Sequence, residues 1–348
     1  MIDVLVAGGG PAGLATAIHA ALAGMEAVVV EPRAGPVDKA CGEGLMPTGA
    51  AALADLGVTV ADGRPFRGIR YVDGPHRVQA EFRDGPGLGV RRTALHTALA
   101  LRARDLGVRV VPGRVDAVRG TAEGVRARVT GGPELGGPEL GARWLVAADG
   151  LHSPTRARLG LDRPSGGPRR YGLRRHYRVA PWTDFVEVHW APGGEAYVTP
   201  VGDDLVGVAV LSSERRPYDE HLARFPHLLA RLDGPPVTPV RGAGPLRQRV
   251  RRRVAGRVLL VGDAAGYVDA LTGEGISLAL LSARALVGCL RAGRPEEYEA
   301  AWRRLSRRSR LLTTALVEVR RHPSAARMIV PAARRLPAVF GAAVRSLA

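Results

Sequence analysis

Gly8, Gly10 and Gly13, within "AGGGPAG", have the spacing that lets a strand turn tightly into a helix around an anion. The first glycine permits the turn, the second lets backbone approach a pyrophosphate, and the third lets helix and strand pack closely. Pro11 and Ala12 open the helix, whose unpaired N–H groups face phosphate oxygens. Glu31 lies eighteen residues beyond Gly13, at the end of the next apolar run, where a carboxylate can accept from ribose hydroxyls. Together these residues predict dinucleotide binding. A second stretch, "DKACGEGLMP" (38–47), holds the only lysine among fifty basic side chains, beside one of two cysteines. A lysine kept in a chain otherwise written in arginine suggests a geometric need, such as a point charge for a phosphate.

The elements around these residues read as α/β. "IDVLVA" (2–7) and "EAVVVEP" (26–32) are short buried strands flanking a helix over 11–24, the pattern of a parallel sheet covered on both faces. "FRGIRYVDGPHRVQAEF" (66–82) alternates around an Asp-Gly turn and predicts a hairpin. "RRTALHTALALRARDLG" (91–107) is helical, and four strands follow between 108 and 148. The tandem "GGPELGGPEL" (131–140) between two of them predicts an exposed loop tip. From 169 to 211 the strands alternate as in an antiparallel meander, then "GRVLLVGDAAG" (256–266) returns to the buried type. The remainder, from about 295, is helical and broken at Pro323, Pro331 and Pro337. The predicted domains are a discontinuous nucleotide-binding unit (1–65, 88–165, 250–290), a substrate unit (66–87, 166–249) and a helical C-terminal region (291–348).

Composition removes several classes. The 348 residues carry a formal charge of +17, but arginine spread along the chain without interleaved aromatics argues against nucleic-acid binding. Cys41 and Cys289 lack metal-ligand spacing, so neither a disulfide framework nor a metal site is expected. No apolar run reaches the roughly eighteen residues that span a bilayer, and the N-terminus lacks a basic leader, so a cytoplasmic location is expected.

Two later stretches, "WLVAADGLHSPTR" (144–156) and "VLLVGDAAGYVDALTGEGI" (258–276), resemble the second and third fingerprints of FAD-dependent oxidoreductases of the p-hydroxybenzoate hydroxylase and geranylgeranyl reductase superfamily. With the glycine turn, the resemblance covers about residues 1–290. It implies a Rossmann-like FAD-binding domain, an inserted antiparallel sheet over the flavin, and transient use of NAD(P)H. Asp263 would accept from a ribityl hydroxyl, following Gly262. Gly273, Gly275 and Ile276 would open a helix whose positive end faces the flavin N1–C2=O region. Asp149 and Gly150 match the motif that supports FAD and the passing nicotinamide. Arg92, with Arg91 beside it, matches the arginine that reaches the phosphates or ribityl chain. Val115 would offer backbone to the adenine, and Arg33 and Lys39 would face the phosphates.

"KACGEGL" resembles the geranylgeranyl reductase branch, in which this loop lies beside the flavin. Gly42 and Gly44 would admit backbone to the ring and the substrate. Cys41 is read as a redox-sensitive thiol or proton donor, or equally as a packing thiol. Glu43 is read first as a solvated loop carboxylate, with a proton relay as the functional alternative. Tyr197 and Pro200 partly match the branch's substrate segment, although Val198 and Thr199 replace its aromatic bulk. His176 and His189 alternate with apolar residues, and nothing in the sequence selects either as a base. These features favour an NAD(P)H-dependent monooxygenase acting on a hydrophobic aromatic or polyketide-like molecule through a C4a-peroxyflavin. The alternatives are a reductase of isoprenoid double bonds and a non-catalytic flavin-binding module. The arginine-rich 303–321 helix is read as packing on the FAD domain, with an anionic membrane surface as the alternative contact.

Overall fold

Alternation along the first strand decides what covers the sheet. In β1 (Ile2–Ala7), Val4 and Val6 point to one face and Leu5 and Ala7 to the other. The first pair shares a core with Leu14 and Ile18 of helix α1 (Pro11–Leu22), and the second with Val115, Val125 and Ala127. The computed structural model describes residues 1–131, 139–167 and 169–347, so most of the "GGPELGGPEL" loop lies outside the described residues. Strands Val258–Leu260, Glu139–Ala147, β1, β2 (Ala27–Glu31) and Arg109–Pro112 lie side by side in parallel. One face carries α1, α2 (Arg92–Asp105) and α3 (Gly275–Arg291). Antiparallel strands Arg114–Gly120 and Val125–Thr130 cover the other.

The inserted sheet has seven strands, in the order Arg241–Ala243, Tyr171–Tyr177, Val206–Ser212, Gly194–Pro200, Phe185–Ala191, Gly68–Asp73, His76–Glu81. It is therefore not the simple meander that the sequence predicts. The predicted hairpin over 66–82 does form, and its first strand pairs in parallel with Phe185–Ala191. With that flank taken, Tyr171–Tyr177 pairs at the other side, on Val206–Ser212. A small sheet of Gly44–Leu45, Gly87–Gly89 and Arg64–Phe66 lies where the chain passes between the two large ones.

The C-terminal helices divide between the two cores. Helix α4 (Glu297–Arg321) buries Tyr298 and Trp302 in the core of the parallel sheet, where the Arg253 guanidinium lies 3.8 Å from the Trp302 ring centroid. Leu312 and Leu316, further along α4, pack instead with the inserted sheet. So do Val330 of α5 (Ile329–Arg335) and Phe340 and Val344 of α6 (Pro337–Arg345), against Ile69, Val186, Val188 and Trp190. Tyr71 stacks obliquely on Phe340 at 4.8 Å and edge-on to Trp190 at 5.2 Å. Packing on the FAD domain, as read from the sequence, thus holds only for the first half of α4. Pro323 and Pro337 start helices, where a missing N–H costs nothing. Among the described residues no helix is long and apolar enough to cross a membrane.

Trp302 is 2% exposed and anchors α4. Trp302→Ala is expected to lower unfolding free energy by about 3–5 kcal/mol in urea titrations. A change under about 1 kcal/mol would mean that α4 is held by its distal half.

Candidate active site

One cavity of about 1110 Å³ opens between the parallel sheet, the inserted sheet and the C-terminal helices. The glycine turn contributes Gly8, Gly10, Pro11 and Ala12 to its wall, and the second strand contributes Glu31 and Arg33. Lys39, Cys41, Gly42, Glu43, Arg92 and Val115 also reach it, as do Asp149, Gly150, Gly262, Asp263, Gly273, Gly275, Ile276 and Tyr197. Two expected residues do not. Gly13 packs beneath the turn, where an added Cβ would lie 1.9 Å from the Gly8 carbonyl oxygen, so only glycine fits. Pro200 is buried off the wall because its carbonyl faces Gly89; its neighbour Thr199 takes the wall position and donates to the Gly42 carbonyl at 2.7 Å.

At the nucleotide end, Gly8 turns the chain at φ 109°. The Glu31 carboxylate is engaged on both oxygens, accepting from the Gly9 N–H at 2.7 Å and from Arg33 Nε at 2.7 Å. Those bonds pin the second strand to the glycine turn, so in this structure Glu31 also shapes the turn that it was expected only to accompany. His96, unnoticed in the sequence, stands 3.0 Å from the Gly9 carbonyl and is held neutral mainly by burial. Its Nε2–H is then the donor, which fixes the other side of the turn.

Arg33, Lys39 and Arg92 converge on this end. Lys39 is exposed, yet enough protein surrounds it that burial, with Arg33 and Arg92 nearby, lowers its pKa. Arg92 Nε is buried without a partner. Three cationic side chains converging on a glycine turn, one of them lowered by burial and by the other two, suit an anionic group such as a pyrophosphate. Opposite them, burial pushes the Asp263 carboxyl up while Arg92, Lys39 and Arg156 pull it down. FAD therefore fits the residues present: phosphates at Gly8–Gly13, Lys39 and Arg92, and ribityl hydroxyls at Asp263.

The loop carrying Cys41 is held by a buried carboxylate. Glu43 is 2% exposed, which corrects the solvated reading. Among the described residues it is the only non-glycine at positive φ, 58°, a conformation that costs a β-carbon residue on the order of 1–3 kcal/mol. Its Oε1 accepts from the Arg92 N–H at 2.8 Å, the start of α2, and its Oε2 lies 2.6 Å from His176 Nε2. Arg174 donates to His176 Nδ1 at 3.1 Å, so Nε2 carries the proton and donates to Glu43. Arg174 is itself tied to Asp38 and the Lys39 carbonyl. His176 was not singled out by sequence because its partner lies 133 positions away. Cys41 Sγ accepts from the Glu43 N–H at 3.3 Å, and burial pushes its thiol up, which favours the protonated form.

The other motifs lock together through Arg156, which lies in the quoted second fingerprint but was not selected. It donates to the carbonyls of Leu151 and Ala264, to Gln248 and to Asp162. Asp149 accepts from the Thr155 N–H at 2.9 Å, which fixes the turn after the strand. Tyr197 donates to the Leu271 carbonyl at 2.8 Å, so its hydroxyl is engaged and only its ring faces the cavity. His189 pairs with Glu187 at 3.1 Å, off this cavity's wall. Beyond the glycine and cation end, Ile69, Val186, Val188, Leu312, Leu316 and Phe340 line the wall, together with Tyr71, which stacks on Phe340.

A glycine turn, a cation cluster and an acid-ended third motif around one cavity define a flavin-binding oxidoreductase. The chain belongs to the FAD binding domain family, whose model matches residues 1–294. It is 33% identical over 312 residues to a menaquinone reductase of Mycobacterium tuberculosis, covering 81% of this chain and 74% of that protein. It is 32% identical over 310 residues to a digeranylgeranylglycerophospholipid reductase of Methanopyrus kandleri, covering 81% and 78%. A geranylgeranyl bacteriochlorophyll reductase-like structure from Thermoplasma acidophilum superposes at TM-score 0.81 with 22% identity, covering 97% of this chain and 91% of that one, and shares the fold.

Gly13→Ala is expected to yield protein that elutes without flavin absorbance on gel filtration; full flavin content would refute the close approach. Glu43→Gln keeps the side-chain volume but weakens the bond from His176, and is expected to destabilise by about 1–3 kcal/mol and to lower flavin retention. Unchanged flavin affinity would separate this pair from the cofactor. Burial raises the Glu274 carboxyl, at the start of α3, to about 7 from 4.5. The folded state thus keeps a proton that the unfolded chain releases, and stability falls as pH rises between about 4.5 and 7. Glu274→Gln should flatten that slope in thermal melts and raise Tm at mildly alkaline pH; an unaltered slope would assign it to other groups.

Proposed function

We propose that the protein is an NAD(P)H-driven, FAD-dependent reductase of a carbon–carbon double bond in a long apolar chain of isoprenoid type. The observation that carries this reading is the cavity itself. It joins a cationic nucleotide end to an apolar arm lined by Ile69, Val186, Val188, Leu312, Leu316 and Phe340, with no ionisable base among these six. Such an arm desolvates an aliphatic chain and has no group to ionise a phenol.

Bound FAD supplies the hydride. The chain's own residues position both reactants and provide the proton. Lys39, Arg92 and the glycine turn hold the phosphates, and Asp263 orients the ribityl chain. The Cys41 thiol, kept protonated by burial, donates to the alkene carbon that does not take the hydride. Its thiolate regains a proton from solvent, so the alkene gains two hydrogens in all. Glu43, fixed by His176 and the Arg92 N–H, sets the conformation of the loop that presents the thiol. The names of the two reductase relatives support the same class of reaction. Hydroxylation, which the sequence favours, draws its support from the superfamily and finds no base in the apolar arm.

The test is product mass after turnover with NAD(P)H and a polyprenyl lipid under argon. A gain of two hydrogens without oxygen is expected, whereas an oxygen-dependent gain of one oxygen atom would overturn the reading in favour of hydroxylation. Cys41→Ser, a poorer acid of similar shape, is expected to lower kcat on the order of 10²-fold while flavin content stays constant.

A further inference from the structure

We propose that the rim formed by α5 and α6 is a docking surface for an anionic phospholipid bilayer, set around the mouth of the cavity. Leu336 and Val339 both line the cavity and are 57% and 62% exposed, so the apolar arm reaches the surface between them. Met328, just before α5, is 47% exposed. Phe340 and Val344 of α6, and Leu347 just after it, are buried in the core of the inserted sheet, which leaves Leu336 and Val339 as apolar groups the fold does not use. Exposed apolar side chains around a cavity mouth mark an interaction site rather than random exposure.

Charge identifies the occupant. Residues 322–348 carry four arginines and no aspartate or glutamate. Arg327, Arg334 and Arg335 are exposed, Arg334 contacts the His76 ring, and among the described residues none of the three is paired with a carboxylate. A basic rim around inserting aliphatic side chains suits a surface of negative headgroups over hydrocarbon. A second copy fits poorly, because a two-fold interface here would set these arginines against their own equivalents. The 303–321 helix, the membrane candidate in the sequence, fits less well. Arg303 pairs with Glu299, Arg320 with Glu195 and Arg321 with Glu318. Arg304, Arg307 and Arg308 are exposed, but the helix's cavity-lining Leu312 and Leu316 are half-buried rather than exposed apolar groups at the mouth.

The surface admits an apolar substrate from the bilayer whichever reaction follows, and its test does not need turnover. FAD-loaded full-length protein is mixed at low salt with vesicles of phosphatidylglycerol and phosphatidylcholine, or of phosphatidylcholine alone, and sedimented. Binding to the anionic vesicles only, with release at high salt, is expected. R327Q/R335Q should weaken that binding at least about fivefold, since each arginine near an anionic surface contributes a several-fold effect. L336D/V339D should weaken it about tenfold or more. Flavin content and Tm of each variant establish that it is folded, and the two pairs of substitutions serve as independent reports. Protein left in the supernatant, equal sedimentation with phosphatidylcholine, or binding indifferent to both pairs would overturn the proposal. So would a dimer that L336D/V339D dissociates in a protein that ignores vesicles, which would assign the face to a second copy.

Discussion

The Glu43 carboxylate accepts hydrogen bonds from the Arg92 N–H and from His176 while its own backbone is held at φ 58°. Three parts of the chain meet at that one side chain: the loop of Lys39 and Cys41, the start of α2, and a strand of the inserted sheet. A buried carboxylate without partners would be costly, and a β-carbon residue in the left-handed region is strained. The arrangement persists because each partner satisfies a charge that would otherwise be stranded. The positions of Arg92 and of Cys41 on the cavity wall both follow from it.

Around that node the cavity is divided by electrostatics. At one end, Arg33 and Arg92 stand beside Lys39 and, with burial, lower its pKa, while Glu31 and Asp263 oppose that effect. Flavin phosphates complete the balance, so cofactor binding and stability should be tightly linked. At the other end Ile69, Val186, Val188, Leu312, Leu316 and Phe340 present apolar area. The same division assigns the thiol its role: Cys41 lies where burial keeps it protonated, and Lys39 and Arg92 lie where anionic charge is expected.

Much of the nucleotide end was legible because it is local. The turn from Gly8 to Gly13, the acid at Glu31 and the helix after Gly273 are fixed by residues within one βα unit or one loop, and short-range spacing reports them. The inserted sheet was legible as strands but not as an order, since alternation tells which face a residue takes and not which neighbour it pairs with. His176, Arg174 and His96 were missed for the same reason: each acts on a partner far along the chain, and a histidine on an alternating strand looks like any half-buried polar residue. Pro200 was misplaced by one position, which in a strand is the difference between wall and interior. Of the C-terminal helices, only 303–321 reads from the sequence as packing on the FAD domain. Their prolines were visible, but the packing of Phe340 on Tyr71 depends on a hairpin more than 250 residues away.

The central claim is that hydride leaves the flavin for an unsaturated chain in the apolar arm. The most direct measurement is a single turnover under argon. Holoprotein is reduced with a stoichiometric amount of dithionite and mixed in a stopped-flow cell with a polyprenyl lipid or its fully saturated counterpart, and flavin absorbance is followed. The account requires oxidised flavin to return with the unsaturated lipid alone. Flavin that stays reduced with both until oxygen is admitted would contradict it.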